Sequence, residues 1–138
     1  MIRIMIVDDQ TPSRKQIRNE LADIGYTDDC IFEAANGITA LETAKSFNPD
    51  ILITDISMPR MLGTELAQRI LSLYPKCKII FFSGYPDKVY LKTAIKLNVV
   101  DFLEKPLDSD EFKAAVKKAE EEISRSTVAY PDEKADAE

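Results

Sequence analysis

Several polar residues stand directly behind apolar runs. Asp8 and Asp9 follow Ile4-Met5-Ile6-Val7, Asp55 follows Ile51-Leu52-Ile53-Thr54, Ser83 follows Ile79-Ile80-Phe81-Phe82, and Lys105 comes just after Val99–Leu103. If these positions meet, their types define a chemistry. Carboxylates packed together repel and raise one another's pKa. A hard divalent cation relieves this, and Mg²⁺ characteristically takes one or two carboxylates and keeps water or phosphate oxygens as its other ligands. With a cation held, the Asp55 carboxylate can attack phosphorus and form an aspartyl phosphate. Lys105 and the Ser83 hydroxyl then suit the charge that spreads over the phosphoryl oxygens. Each residue alone has a blander reading: Asp-Asp as a turn or helix cap, Asp55 or Ser83 as a turn residue, Lys105 as a solvated charge. The ordered set argues against that many coincidences.

Composition narrows the class. The chain of 138 residues is one domain's length, with 45% hydrophobic and 30% charged residues, ordinary for a soluble globular protein. No apolar run reaches membrane-spanning length, and Met1-Ile2-Arg3-Ile4 lacks the order of a signal peptide, so a cytoplasmic location is expected. The net charge of −6 and the absence of a long basic cluster argue against direct nucleic-acid binding, which needs clustered Lys and Arg. Cys30 and Cys77 are the two cysteines, with no CxxC, and read as free thiols. The histidine count is 0, which excludes Ser-His-Asp and Cys-His catalysis and any phosphohistidine on this chain.

The elements that must position these groups follow from periodicity. Ile2 to Val7 reads as the first strand. Thr11 can cap a helix with Pro12 at its first position, carrying Ile17, Leu21 and Ile24 and stopped by Gly25. Cys30 to Ala34, with Glu33 inside it, suits an edge strand. Asn36-Gly37 is a turn, and Ile38, Leu41, Ala44 and Phe47 mark the next helix. After the Asp55 strand, Leu66, Ile70 and Leu73 mark a third helix, closed by Tyr74-Pro75. Lys78 to Phe82 is the fourth strand. Pro86 opens a fourth helix with Val89, Leu91, Ala94, Ile95 and Leu97, and Asn98 takes its left-handed stop. Val99 to Leu103 is the fifth strand. Asp108 and Glu111 have capping-box spacing before Phe112, Val116, Ala119 and Ile123. Residues 125–138 lose periodicity and read as a disordered tail or linker behind a domain of residues 1–124. Alternating strands and helices predict an α/β fold with a doubly wound five-stranded parallel sheet. Its expected order is the flavodoxin-like 2-1-3-4-5, in which the first and third strands are neighbours and Asp8-Asp9 meets Asp55.

Asp8-Asp9, Asp55 with Met58-Pro59, Ser83-Gly84 and Lys105-Pro106, in this order, resemble the receiver domain of two-component response regulators, over about residues 1 to 124. The resemblance implies that Asp55 is the phosphoacceptor and that Asp9 and Asp55 ligate Mg²⁺ directly. Asp8 assists through water, and the backbone carbonyl of Ser57 is a further ligand. It implies that Ser83 and Lys105 bond phosphoryl oxygens, with a cis Lys105–Pro106 peptide. Phe102 takes the aromatic switch position and turns inward as Ser83 moves, although as a strand residue it also reads as core. Ser57 and Tyr85 flank the pocket, where receivers tune acyl-phosphate hydrolysis. The sequence departs from the family pattern in three places. Leu62 stands where many receivers have Asp or Asn to cap the third helix, leaving Thr64 as a candidate. Asn98-Val99 replaces a frequent Gly-Ala. Phe102 lacks the hydroxyl of the common Tyr.

Implied partners are a sensor histidine kinase or histidine phosphotransfer protein, and a downstream protein target or fused output domain. Homodimer contacts are expected on the fourth helix, fifth strand and last helix. The chain is then not an enzyme beyond its own phosphotransfer and dephosphorylation. A haloacid-dehalogenase-type phosphatase wants a second Asp where Ser57 stands and needs a covering cap. A flavin module needs a Ser/Thr/Gly-rich loop after the first strand, where Asp-Asp-Gln-Thr-Pro would repel phosphate. A pseudo-receiver that only binds partners is the remaining alternative.

Overall fold

The computed structural model describes residues 1–85 and 87–125, followed by helical backbone up to Ala137. Pro86 and Glu138, and the side chains after Arg125, lie outside the described residues. The elements are β1 (Ile4–Val7), α1 (Thr11–Asp23), a 3₁₀ turn (Asp28–Cys30), β2 (Ile31–Ala34), α2 (Gly37–Phe47), β3 (Ile51–Thr54), α3 (Gly63–Leu73), β4 (Lys78–Ser83), α4 (Lys88–Leu97), β5 (Asp101–Glu104) and α5 (Ser109–Ala137).

The strands pair in parallel in the order β2-β1-β3-β4-β5, as expected. Successive strand residues point to opposite faces, and here both faces are covered. Ile4, Ile6, Ile51, Ile53, Ile80 and Phe82 pack with Ile17 and Leu21 of α1 and Phe112 and Val116 of α5. Met5, Val7, Leu52, Ile79 and Phe81 pack with Ala40, Ala44, Leu66, Ile70 and Ala94 of α2, α3 and α4. This two-sided burial is why β1, β3 and β4 read as continuous apolar runs. The register sets Val7 beside Thr54, so the residues that follow each strand emerge side by side.

The helix ends differ in detail from the sequence reading. Thr11 is the first residue of α1 instead of its cap; Gln10 takes the cap position, with Pro12 in the first turn. Gly25 (φ 105°) does end the helix. Tyr26 N–H donates to Leu21 O and Gly25 N–H to Ala22 O, the paired bonds of a glycine-terminated helix. Asn36 is an N-cap as well as part of a turn, its side chain accepting Thr39 N–H at 2.8 Å. Asp87 caps α4 by accepting Val89 N–H, which moves the helix start past Pro86. Asn98 closes α4 at φ 56°, as predicted. Asp108 accepts Glu111 N–H at 3.0 Å.

Strand limits shift as well. Cys30 belongs to the 3₁₀ turn and β5 begins at Asp101, although Val100 N–H already bonds Ile79 O at 2.7 Å. Beyond residue 125, expected as tail or linker, helical backbone continues to Ala137.

α3 starts without a side-chain cap on Leu62; Thr64 supplies none. Backbone contact replaces it. Gly63 N–H donates to Ile56 O at 2.8 Å, and a Cβ on Gly63 would lie 1.9 Å from Asp55 O. Only glycine lets α3 close on the loop that carries Asp55. We predict that Gly63→Ala lowers stability by about 3 kcal/mol or more, since backbone must move. Gly25→Ala, with no atom within 4 Å, costs only the about 1–2 kcal/mol of its positive φ. Urea melts of both variants check the ranking.

Candidate functional site

The carboxyl edge of the sheet is built by strand pairing that runs one residue past the strands. Asp8 N–H donates to Ala34 O at 3.2 Å, Asp55 N–H to Val7 O at 2.9 Å, and Lys105 N–H to Ser83 O at 2.8 Å. These bonds fix the three backbones before their side chains enter the site. Thr54 Oγ1 donates to Asp55 O at 2.8 Å, filling the same carbonyl that Gly63 crowds.

Asp8 and Asp55 are both buried, at 0% and 6% relative exposure. Asp8 Oδ1 accepts Gln10 N–H at 2.9 Å. Asp55 Oδ1 accepts Ile56 N–H at 2.7 Å. The second oxygen of each faces the same cation: Lys105 Nζ lies 3.0 Å from Asp8 Oδ2 and 3.3 Å from Asp55 Oδ2. The aliphatic stem of Lys105 carries that ammonium across Phe82, 5.4 Å from the ring centroid. The Lys105–Pro106 peptide is cis.

Burial pushes the Asp55 carboxyl above its ordinary pKa, and the Asp8 charge adds to this; Lys105 and Ile56 N–H oppose without cancelling it. Burial pulls Lys105 down, but Asp8 and then Asp55 outweigh it, so the ammonium is held above its ordinary range.

Carboxylate oxygens of Asp8, Asp9 and Asp55 lie within 4.8 Å of one another. Asp9 is the least buried of them, and among the described residues its carboxylate has no hydrogen-bond or ion-pair partner. One lysine thus pairs with two of the three clustered carboxylates. An oxygen-only donor set with surplus negative charge fits a hard divalent cation, and Mg²⁺ in particular, which needs few protein ligands.

The other expected residues stand apart from this centre. Ser83 is fully buried at the end of β4, but its hydroxyl oxygen accepts Tyr85 N–H at 3.0 Å and lies 3.3 Å from Tyr85 O. It is engaged by its own loop and not by Asp55. Tyr85 is 70% exposed. Ser57 is exposed, and among the described residues its carbonyl accepts no hydrogen bond. Phe102 is half-buried on β5, edge-on to Phe81 with ring centroids 6.2 Å apart.

Two features escaped the sequence reading. Gly63 was visible as a glycine before the third helix, but the close approach that requires it was not. Arg14 bonds both Glu33 and the Asp8 carbonyl; a charged Glu33 inside a strand was its only signal.

Comparison with known proteins agrees with this architecture. Residues 4–117 match the response regulator receiver domain. The chemotaxis protein CheY of Listeria monocytogenes is 34% identical over 119 residues, covering 86% of this chain and 98% of that protein. The transcriptional regulatory protein HptR of Staphylococcus aureus is 34% identical over 108 residues, covering 78% of this chain but 42% of that protein. The chain therefore spans well under half of some relatives and nearly all of another. Among solved structures, a two-component transcriptional regulator AraC from Clostridium phytofermentans superposes with TM-score 0.80 at 36% identity, covering 94% of this chain and 99% of that one. The receiver domain of AraT from Geobacillus stearothermophilus gives 0.81 at 31% identity, covering 91% and 98%. With the family's sequence pattern across most of its length and the family's fold around the Asp8–Asp55–Lys105 cluster, the chain belongs to the response regulator receiver domain family.

Proposed function

We propose that the chain is a phosphorylation-activated signalling receiver that takes a phosphoryl group from a partner's phosphohistidine onto Asp55. The observation that carries this reading is the shared grip of Lys105 on Asp8 and Asp55 beside an Asp9 that has no partner among the described residues. Asp9, Asp55 and the Ser57 carbonyl would hold Mg²⁺, with Asp8 assisting. When bound, the cation screens the carboxylates and binds phosphoryl oxygen.

The chain's own groups supply the rest. Asp55 Oδ1 is tied to Ile56 N–H, so Oδ2 is the attacking atom. It forms the new O–P bond as the P–N bond to the donor imidazole breaks, and the leaving imidazole takes its proton from solvent. Lys105 moves from Asp55 Oδ2 onto a phosphoryl oxygen, keeping its charge throughout. The Ser83 hydroxyl exchanges its Tyr85 contacts for another phosphoryl oxygen, and Phe102 follows inward; Ser83 and Phe102 form the switch. Ser57 and Tyr85, at the rim, set access of water and thus the lifetime of the acyl phosphate. The chain is no enzyme beyond this self-directed chemistry.

The donor is a sensor histidine kinase or a histidine phosphotransfer protein, in the cytoplasm. Among the described residues no helix is long and apolar enough to cross a membrane. Output runs through a downstream protein or a fused output domain, with homodimer contacts on α4, β5 and α5. Val89 and Ile95 support such a face: they are apolar, and 65% and 79% exposed on α4.

Incubation with Mg²⁺ and a small acyl phosphate, followed by intact-mass measurement, tests the proposal. One phosphoryl group is gained by the wild type, and none by Asp55→Asn or without Mg²⁺. Lys105→Met gains it about 10²-fold more slowly, the loss of one charged stabiliser of the transferring group. No gain in the wild type would leave a pseudo-receiver that only binds partners.

A further inference from the structure

Glu33 is a carboxylate in the edge strand β2, paired in register with Ile6 of β1. Its two oxygens serve two guanidinium groups: Arg14 Nε at Oε1, 3.0 Å away, and Arg18 Nε at Oε2. Burial raises its pKa, but Arg18 and Arg14 outweigh this and hold the carboxyl below its ordinary value, ionised at neutral pH. Arg18 also reaches Asp28. Arg14 turns the other way. Its Nη1 donates to the Asp8 backbone carbonyl at 2.7 Å and its Nη2 to Thr11 Oγ1 at 3.2 Å. One rigid guanidinium thus ties β2, the loop after β1 and the first residue of α1 together. The carbonyl it grips belongs to the peptide that joins Asp8 to Asp9.

That placement has a consequence for the carboxylates. Asp8 is held by Gln10 N–H and Lys105, whereas the Asp9 side chain has no partner among the described residues to aim it. The orientation of the Asp8–Asp9 peptide is the remaining restraint on where Asp9 points. We propose that Arg14, aimed by Glu33, is a positioning residue that fixes the Asp8–Asp9 peptide and so sets the divalent-cation affinity of the carboxylate cluster. The inference rests on the receiver reading only in taking that cluster as a cation site. It requires a guanidinium: a lysine ammonium keeps the charge but lacks the fixed fork that serves three acceptors at once.

Calorimetric titration of the folded protein with Mg²⁺ alone tests it, with thermal unfolding measured alongside. Arg14→Lys is expected to weaken Mg²⁺ binding by about 10-fold or more, the range found when residues that orient metal ligands are altered. Glu33→Gln, which leaves Arg14 in place but removes the charge that aims it, weakens binding in the same direction by less. Arg18→Lys shares Glu33 but does not touch the Asp8 carbonyl; it lowers the unfolding midpoint while Mg²⁺ affinity stays near wild type. If Arg14→Lys does not fold, Glu33→Gln carries the test. Wild-type affinity in Arg14→Lys or in Glu33→Gln would overturn the proposal, as would equal weakening in Arg18→Lys or a wild type that binds no Mg²⁺. A wild type that binds Mg²⁺ yet gains no phosphoryl group would overturn the receiver reading and leave this one standing.

Discussion

Lys105 reaches both Asp8 and Asp55 because the sheet brings them to one edge, and everything else at the site depends on that charge balance. Two buried carboxylates side by side would repel by several kcal/mol at an effective dielectric near 20, about 4 kcal/mol at 4 Å. The ammonium offsets much of this, but a third carboxylate, Asp9, is left over. The residual strain shows in Asp55, whose burial and whose neighbour Asp8 raise its pKa. An acid whose folded pKa is raised costs stability as pH climbs through that window and above it. Glu33 has the opposite sign: with its folded pKa lowered, it contributes stability above its unfolded value and loses it as pH falls through the folded one. The acid at the centre of the site thus stores charge energy, while the acid beside it on β2 fixes geometry.

Geometry at the edge comes from backbone more than from side chains. The ladder bonds from Asp8, Asp55 and Lys105 continue the strands into the loops, so these side chains inherit the precision of the sheet. α3 closes on Asp55 with glycine at the contact. Ser83 is the exception. Its hydroxyl is held by Tyr85 of its own loop, a neutral contact outside the charged cluster. A rigid acidic centre with one loosely committed hydroxyl is what the proposed two-state switch requires.

Much of this was legible in the sequence. The strand cores, their parallel order and the convergence of Asp8, Asp9, Asp55 and Lys105 follow from apolar runs that end in polar residues, because two-sided burial erases alternation in β1, β3 and β4. Asn98 and Gly25 declared their left-handed stops. What stayed hidden depended on contacts between distant segments. Nothing in Gln10-Thr11-Pro12 says which residue is the cap, and nothing local links Arg14 to Asp8 or Glu33. Val89, Leu91 and Ile95 carry a helical apolar pattern yet are exposed, since periodicity marks an apolar surface without saying whether this chain covers it.

Surplus carboxylate charge at the sheet edge is what would make a specific site for a divalent cation. Thermal unfolding against Mg²⁺ concentration at neutral pH, for the wild type and Asp9→Ala, tests it most directly. Asp9→Ala leaves both Lys105 contacts intact. The wild-type midpoint is expected to climb with Mg²⁺, reaching about 2.7 kcal/mol of added stability at a hundredfold excess over the dissociation constant, while Asp9→Ala stays flat over the same range. A flat wild type, or equal climbs in both proteins, would contradict it.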